Sequence, residues 1–111
     1  MARLTDKENL RKENLIVNAL WEHNSVDNSI QAEELCNILR ENGFNMKTRS
    51  VNQMITKIKL ERKIPLCYIR GKGYFWGRKR EDIALTVRDL RLMINSLKEH
   101  ADFLESFIIE L

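Results

Sequence analysis

The chain is poor in the residues that break or staple a polypeptide. One proline and four glycines in 111 residues leave little room for linkers. No apolar run reaches 18 residues, so no membrane-spanning helix is expected. The opening MARLTDKENLRKEN is charged and has no hydrophobic signal core, which makes the cytoplasm the expected compartment. The two cysteines, Cys36 and Cys67, lie far apart and form no CxxC pair; both sit in apolar surroundings and are expected to be buried free thiols. The two histidines, His23 and His100, stand away from any cysteine or acidic cluster, so neither a metal site nor a cofactor is expected. No serine has nucleophile-elbow context, and Gly71-Lys72-Gly73 is too short for a phosphate loop. The chain is therefore not expected to be an enzyme.

Positive charge is present, and it is concentrated. Residues 47–80 hold eleven Lys and Arg and one acid, Glu61, a net +10; the whole chain is +3, so the remainder sums to −7. Such a concentration is usually presented to a polyanion. Length and composition fit one small α+β, mainly helical domain with an appendage.

The pattern in chain order is mostly helical. Thr5-Asp6-Lys7-Glu8 fits a capping box, opening a helix to about His23 with a buried stripe of Leu10, Ile16, Val17, Leu20 and Trp21. Asn24–Ser29 reads as a loop, and Ile30 as a one- or two-residue strand. Ala32, Leu35, Cys36 and Leu39 recur at i, i+3, i+4, i+7 and predict a second helix over Ala32–Asn42, stopped by Gly43. Thr48 is placed to cap a third helix whose inner face is Val51, Met54, Ile55 and Ile58. Pro65 disfavours helix at Ile64. Leu66–Ile69 and Tyr74–Trp76, around Arg70-Gly71-Lys72-Gly73, read as a hairpin to which Ile30 can add a third strand. Phe75 is expected in the core, with Tyr74 and Trp76 on the other face.

The last segment, 81–111, carries a heptad seam. Val87, Ile94, Ala101 and Ile108 fall at a; Ile83, Leu90, Leu97, Leu104 and Leu111 fall at d. β-Branched a with Leu at d is the pattern of two-stranded parallel coils, while Met93 and Phe107 at g widen the stripe. At ~1.5 Å per residue the helix would be about 45 Å long. Val87, Leu90, Ile94, Leu97, Ala101, Leu104, Ile108 and Leu111 are the expected dimer interface; a helix folded back along its own domain is the alternative.

QAEELCNILRENG, KTRSVNQMITKIK and IPLCYIRGKGYFWG, followed by Glu81-Asp82 opening a helix, resemble the second helix, recognition helix and wing of small winged helix-turn-helix proteins of bacteria and phages. The resemblance covers roughly residues 8–105. It implies a winged domain over 1–80, a C-terminal helix over 81–111, a recognition helix at 48–60 and a wing at 66–77. Taken with the basic stretch, the heptad seam and the charged N-terminus, it leads to the expectation of a cytoplasmic regulator of transcription or replication that binds double-stranded DNA as a homodimer. In that frame Arg49 suits guanine, and Asn52 or Gln53 adenine, because each offers bidentate geometry. Ser50, Thr56 and Lys57 suit phosphates, as do Arg78, Lys79 and Arg80 beyond the wing; Arg70 and Lys72 at the wing tip can reach backbone or minor groove, and Lys47 and Thr48 complete the expected DNA-binding set. Two other readings stay open: a protein-interaction module presenting the same basic surface to an acidic partner, and a non-specific nucleic-acid binder.

Overall fold

A computed structural model of the chain describes residues 4–110. Helices α1 (Leu4–Glu22), α2 (Ala32–Glu41) and α3 (Thr48–Arg62) precede a two-stranded antiparallel sheet, β1 (Leu66–Ile69) and β2 (Gly73–Trp76), and α4 (Arg80–Glu110) follows it. The protein is thus a mainly helical α+β chain. The Thr5 side chain, expected to cap α1, and Leu111, expected to end the seam, lie outside the described residues; Thr5 itself stands within α1. Among the described residues no helix is long and apolar enough to cross a membrane.

The core is built where three helical stripes and the sheet meet. Leu35, Cys36 and Leu39 of α2, Val51, Ile55 and Ile58 of α3, Ile16 and Leu20 of α1, and Leu66 of β1 close around one another; Phe75 is fully enclosed, and Tyr74 and Trp76, expected on the face away from the core, pack against this cluster instead. Both cysteines are buried and free. The α1 stripe differs from its expected course. Its buried positions are Glu13, Ile16 and Leu20, whereas Leu10 and Trp21 are half exposed. Spacing of three and four from Glu13 rotates the stripe by about one position, which leaves Leu10 and Trp21 at its edge.

Helix ends follow local chemistry. Gly43, at φ +88, closes α2, and the Phe44 N–H donates to the Leu39 carbonyl at 2.8 Å. Lys63, at φ 54, is the one non-glycine residue with positive φ among those described, and it stops α3 two residues before Pro65. The start of α3 departs from expectation. Lys47 occupies the capping position with extended backbone and makes no side-chain cap, and Thr48 is already helical.

The sheet gains a third edge. The Ile30 N–H donates to the Tyr74 carbonyl, and the Tyr74 N–H to the Ile30 carbonyl, both at 2.8 Å. The Trp76 N–H donates to the His23 carbonyl at 2.7 Å, so β2 lies between β1 and the α1–α2 connection. The turn is anchored as well: Ser29 Oγ and Gln31 Nε2 both donate to the Lys72 carbonyl, at 2.8 and 2.9 Å.

α4 packs against β1 with its first turns, where Thr86 is buried, and every residue from Arg91 to Ile109 is exposed. The radius of gyration is 17.2 Å, against about 13 Å for a compact chain of this length. α4 therefore projects from the body.

Gly73 allows β2 to approach Ile30. A Cβ there would lie 2.5 Å from the Ile30 carbonyl oxygen, and φ is +122. Gly71, at φ +81, faces open space. Gly71→Ala is expected to cost about 1 kcal/mol from backbone strain alone, and Gly73→Ala more than about 3 kcal/mol because a strand pairing is also lost. Urea denaturation of the two variants gives the comparison; equal costs would mean that the Ile30 bridge contributes nothing.

Candidate nucleic-acid interface

α3 buries Val51, Ile55 and Ile58, and the 3.6-residue period turns Arg49, Ser50, Asn52, Gln53, Thr56 and Lys57 outward, all exposed. Arg49 and Gln53, four residues apart, share the middle of that face; Leu60 continues it and is 70% exposed. Lys47 is exposed at the start of the helix and Thr48 is partly buried.

The two flanks of α3 are engaged within the fold. On the α1 side, Lys57 Nζ lies 3.6 Å from Glu13 Oε2, and an Arg62 guanidinium nitrogen lies 3.4 Å from Glu13 Oε1. Burying Glu13 leaves its charge in a poor solvent, and the two cations supply what water would have given. On the sheet side, the Tyr74 hydroxyl donates to Asn52 Oδ1 at 2.6 Å. The Thr56 hydroxyl donates to the Asn52 carbonyl at 3.2 Å. Asn52 is thus held by the hairpin, and Lys57 by α1.

The hairpin residues divide in the same way. Arg70 reaches α4, with a guanidinium nitrogen 3.3 Å from Asp89 Oδ1. The Lys72 side chain is exposed at the turn. Arg78 stacks on Trp21, its guanidinium carbon 4.1 Å from a ring centroid, and Trp21 meets Trp76 edge-on at 5.0 Å. The Lys79 carbonyl accepts the Asp82 and Ile83 N–H groups at the start of α4, at 3.1 and 3.2 Å, and Arg80 is the first residue of that helix. Arg11 and Lys12 of α1 both lie over the Phe44 ring, at 5.2 and 5.5 Å.

Of the eleven cations in 47–80, three have carboxylate partners among the described residues: Lys57, Arg62 and Arg70. The other eight have none, and they include Lys47, Arg49, Lys72, Lys79 and Arg80. Sequence reasoning missed Glu13, Tyr74 and Asp89, the groups that hold Lys57, Asn52 and Arg70. Only Glu13 carried a signal, as a carboxylate three residues before Ile16 on the apolar stripe. The expected seam residues Val87, Leu90, Ile94, Leu97, Ala101, Leu104 and Ile108 are all exposed.

Compared with protein-family models, curated proteins and solved structures, the chain finds no match.

Burial raises the Tyr74 phenol to about 12 from the ordinary 10.0, with the nearby Tyr68 adding to the rise. The hydrogen bond to Asn52 also requires the protonated form. Because the folded-state value lies above the unfolded one, this stabilisation is complete below pH ~10 and is lost as pH rises toward 12. Absorbance titration of the phenolates should show a step near 12 that Tyr74→Phe removes. A step persisting in Tyr74→Phe would contradict the assignment.

Proposed function

We propose that this protein is a sequence-specific binder of double-stranded DNA. In this reading α1–α3 and the hairpin form a winged helix-turn-helix, and the protein works in the cytoplasm as a phage or bacterial regulator of transcription or replication. One observation carries the reading: eight cations of residues 47–80 have no carboxylate partner among the described residues, and the outward face of α3 presents Arg49, Asn52 and Gln53. A helix in the major groove reads base edges with side chains of this kind near its N-terminus.

Arg49 is assigned to guanine and Gln53 to adenine. Asn52 presents its amide nitrogen while Tyr74 fixes its oxygen, so its orientation is set before DNA arrives. Lys47, Ser50 and Lys72 take phosphates. Lys79 and Arg80, exposed at the start of α4, are assigned to phosphates as well. Lys57 and Arg70 hold α3 and the hairpin in place as much as they meet phosphate, since both already face carboxylates. Arg78 positions the base of the wing through Trp21.

α4 makes the protein a dimer. Thirteen large apolar side chains on this helix are exposed, from Ile83 to Ile109. Nine of the thirteen fall at a, d or g and form one apolar stripe, the mark of an interface. Pairing doubles the base contacts that one small module supplies.

Affinity for duplex DNA is expected to fall steeply between 50 and 200 mM salt. Arg49→Ala should cost about 1–3 kcal/mol and relax preference at one base position, whereas Lys72→Ala should weaken all sequences alike. Fluorescence anisotropy on a panel of duplexes separates the two. Absence of binding at low salt would rule out both nucleic-acid readings and leave an acidic protein partner. Independently, Leu97→Asp should convert a dimer to a monomer by light scattering; an unchanged mass would remove α4 from the dimer.

A further inference from the structure

We infer that α4 pairs antiparallel with α4 of a second copy, in the register that sets Ile94 against the partner's Leu104 and Leu97 against the partner's Ala101. This rests on the dimer reading above and adds direction, register and the place where the partner enters the fold.

Three features of α4 select this arrangement over the parallel one. The first is the seam itself. In a parallel pair Ala101 meets the partner's Ala101 and leaves a hole in the layer, since a positions face a positions. In the antiparallel register a faces d, and each Ala101 is filled by the partner's Leu97. Ile94 then faces the partner's Leu104, and Leu90 faces the partner's Ile108, so large residues fill every layer around the two small ones.

The second feature is the flanking charge. Arg91, Lys98 and Glu105 occupy the same edge of the helix, the e positions of successive heptads. Antiparallel pairing brings e edges together. The partner's Glu105 then falls between Arg91 and Lys98, and the two Lys98 side chains at the centre have a Glu105 on either side. Parallel pairing brings this edge to the opposite one, where Lys98 would face the partner's apolar Met93.

The third feature is the apolar edge. Met93 is 40% exposed and Phe107 49% exposed, both at g. Antiparallel pairing sets Met93 against the partner's Phe107, a sulfur–aromatic contact. Met93 and Leu90 line a cleft of about 320 Å³ between α3, the hairpin and α4, whose other walls include Tyr68, Tyr74 and Thr56. The partner's Phe107 therefore closes a cleft that a single copy leaves open. In the parallel pair each Phe107 stays far from either cleft.

The register also spaces the DNA-reading surfaces. Asp89, where α4 meets the hairpin, lies level with the partner's Ile109, so the two attachment points are about 30 Å apart along the axis at ~1.5 Å per residue. That approaches one turn of DNA, about 34 Å. Parallel pairing would set them side by side, about 10 Å apart.

Disulfide trapping of the full chain tests this, because Cys36 and Cys67 are buried. Ile94→Cys and Leu104→Cys chains, carrying tags of different size, are mixed, checked for dimer mass by light scattering and oxidised. The expected product is the mixed 94–104 disulfide, with little linkage of either variant to itself, since like positions lie ~15 Å apart. Leu90→Cys mixed with Ile108→Cys should behave in the same way. Self-linkage of Ile94→Cys, or a dimer that gives no mixed product with either pair, overturns the antiparallel register and leaves the dimer standing. A monomeric unmodified chain overturns both.

Discussion

The arrangement depends on β2 having backbone partners on both sides. β1 takes one edge, and Ile30 and His23 take the other. A two-stranded hairpin alone is marginal in water, and a third edge turns it into a platform. From that platform Tyr74 reaches Asn52 on α3, Arg70 reaches Asp89 on α4, and Trp76 meets Trp21 on α1. Gly73 permits the close approach, since any side chain there would meet the Ile30 carbonyl.

The cations of 47–80 do two kinds of work. Lys57 and Arg62 neutralise Glu13, which lies buried among the residues that join α1 to α3. Arg70 ties the hairpin to α4, and Arg78 closes over Trp21. These contacts join α3 to α1, the hairpin to α4, and the segment after the hairpin to α1. The remaining cations have no carboxylate partner among the described residues, and all but Lys59 are exposed. In the proposed DNA complex the paired cations would supply orientation and the unpaired ones counterion release, which dominates affinity.

Much of this was readable from local pattern. The stripe of α2, the inner face of α3, the stop at Gly43, the hairpin glycines and the core position of Phe75 follow from spacing and from φ preference. What escaped depends on partners distant in sequence. Glu13 looks like a solvated charge until Lys57 and Arg62, more than forty residues on, are folded against it. Trp21 follows Leu20 and reads as core, yet one helical position moves it to the edge, where Arg78 covers it. Asn52 reads as a free amide because nothing in KTRSVNQMITKIK tells of Tyr74. Thr48 reads as a cap, but the chain enters α3 one residue earlier, at Lys47.

α4 extends the same logic beyond one chain, since its apolar residues outnumber the neighbours its own fold provides. If two copies meet along it, two α3 surfaces are held at a fixed spacing, and recognition becomes a property of the pair. The most direct measurement is selection of bound sequences from a random duplex pool at moderate salt. The account predicts an enriched inverted repeat with half-sites close to one helical turn apart. Recovery of unenriched sequences would contradict sequence-specific readout by α3.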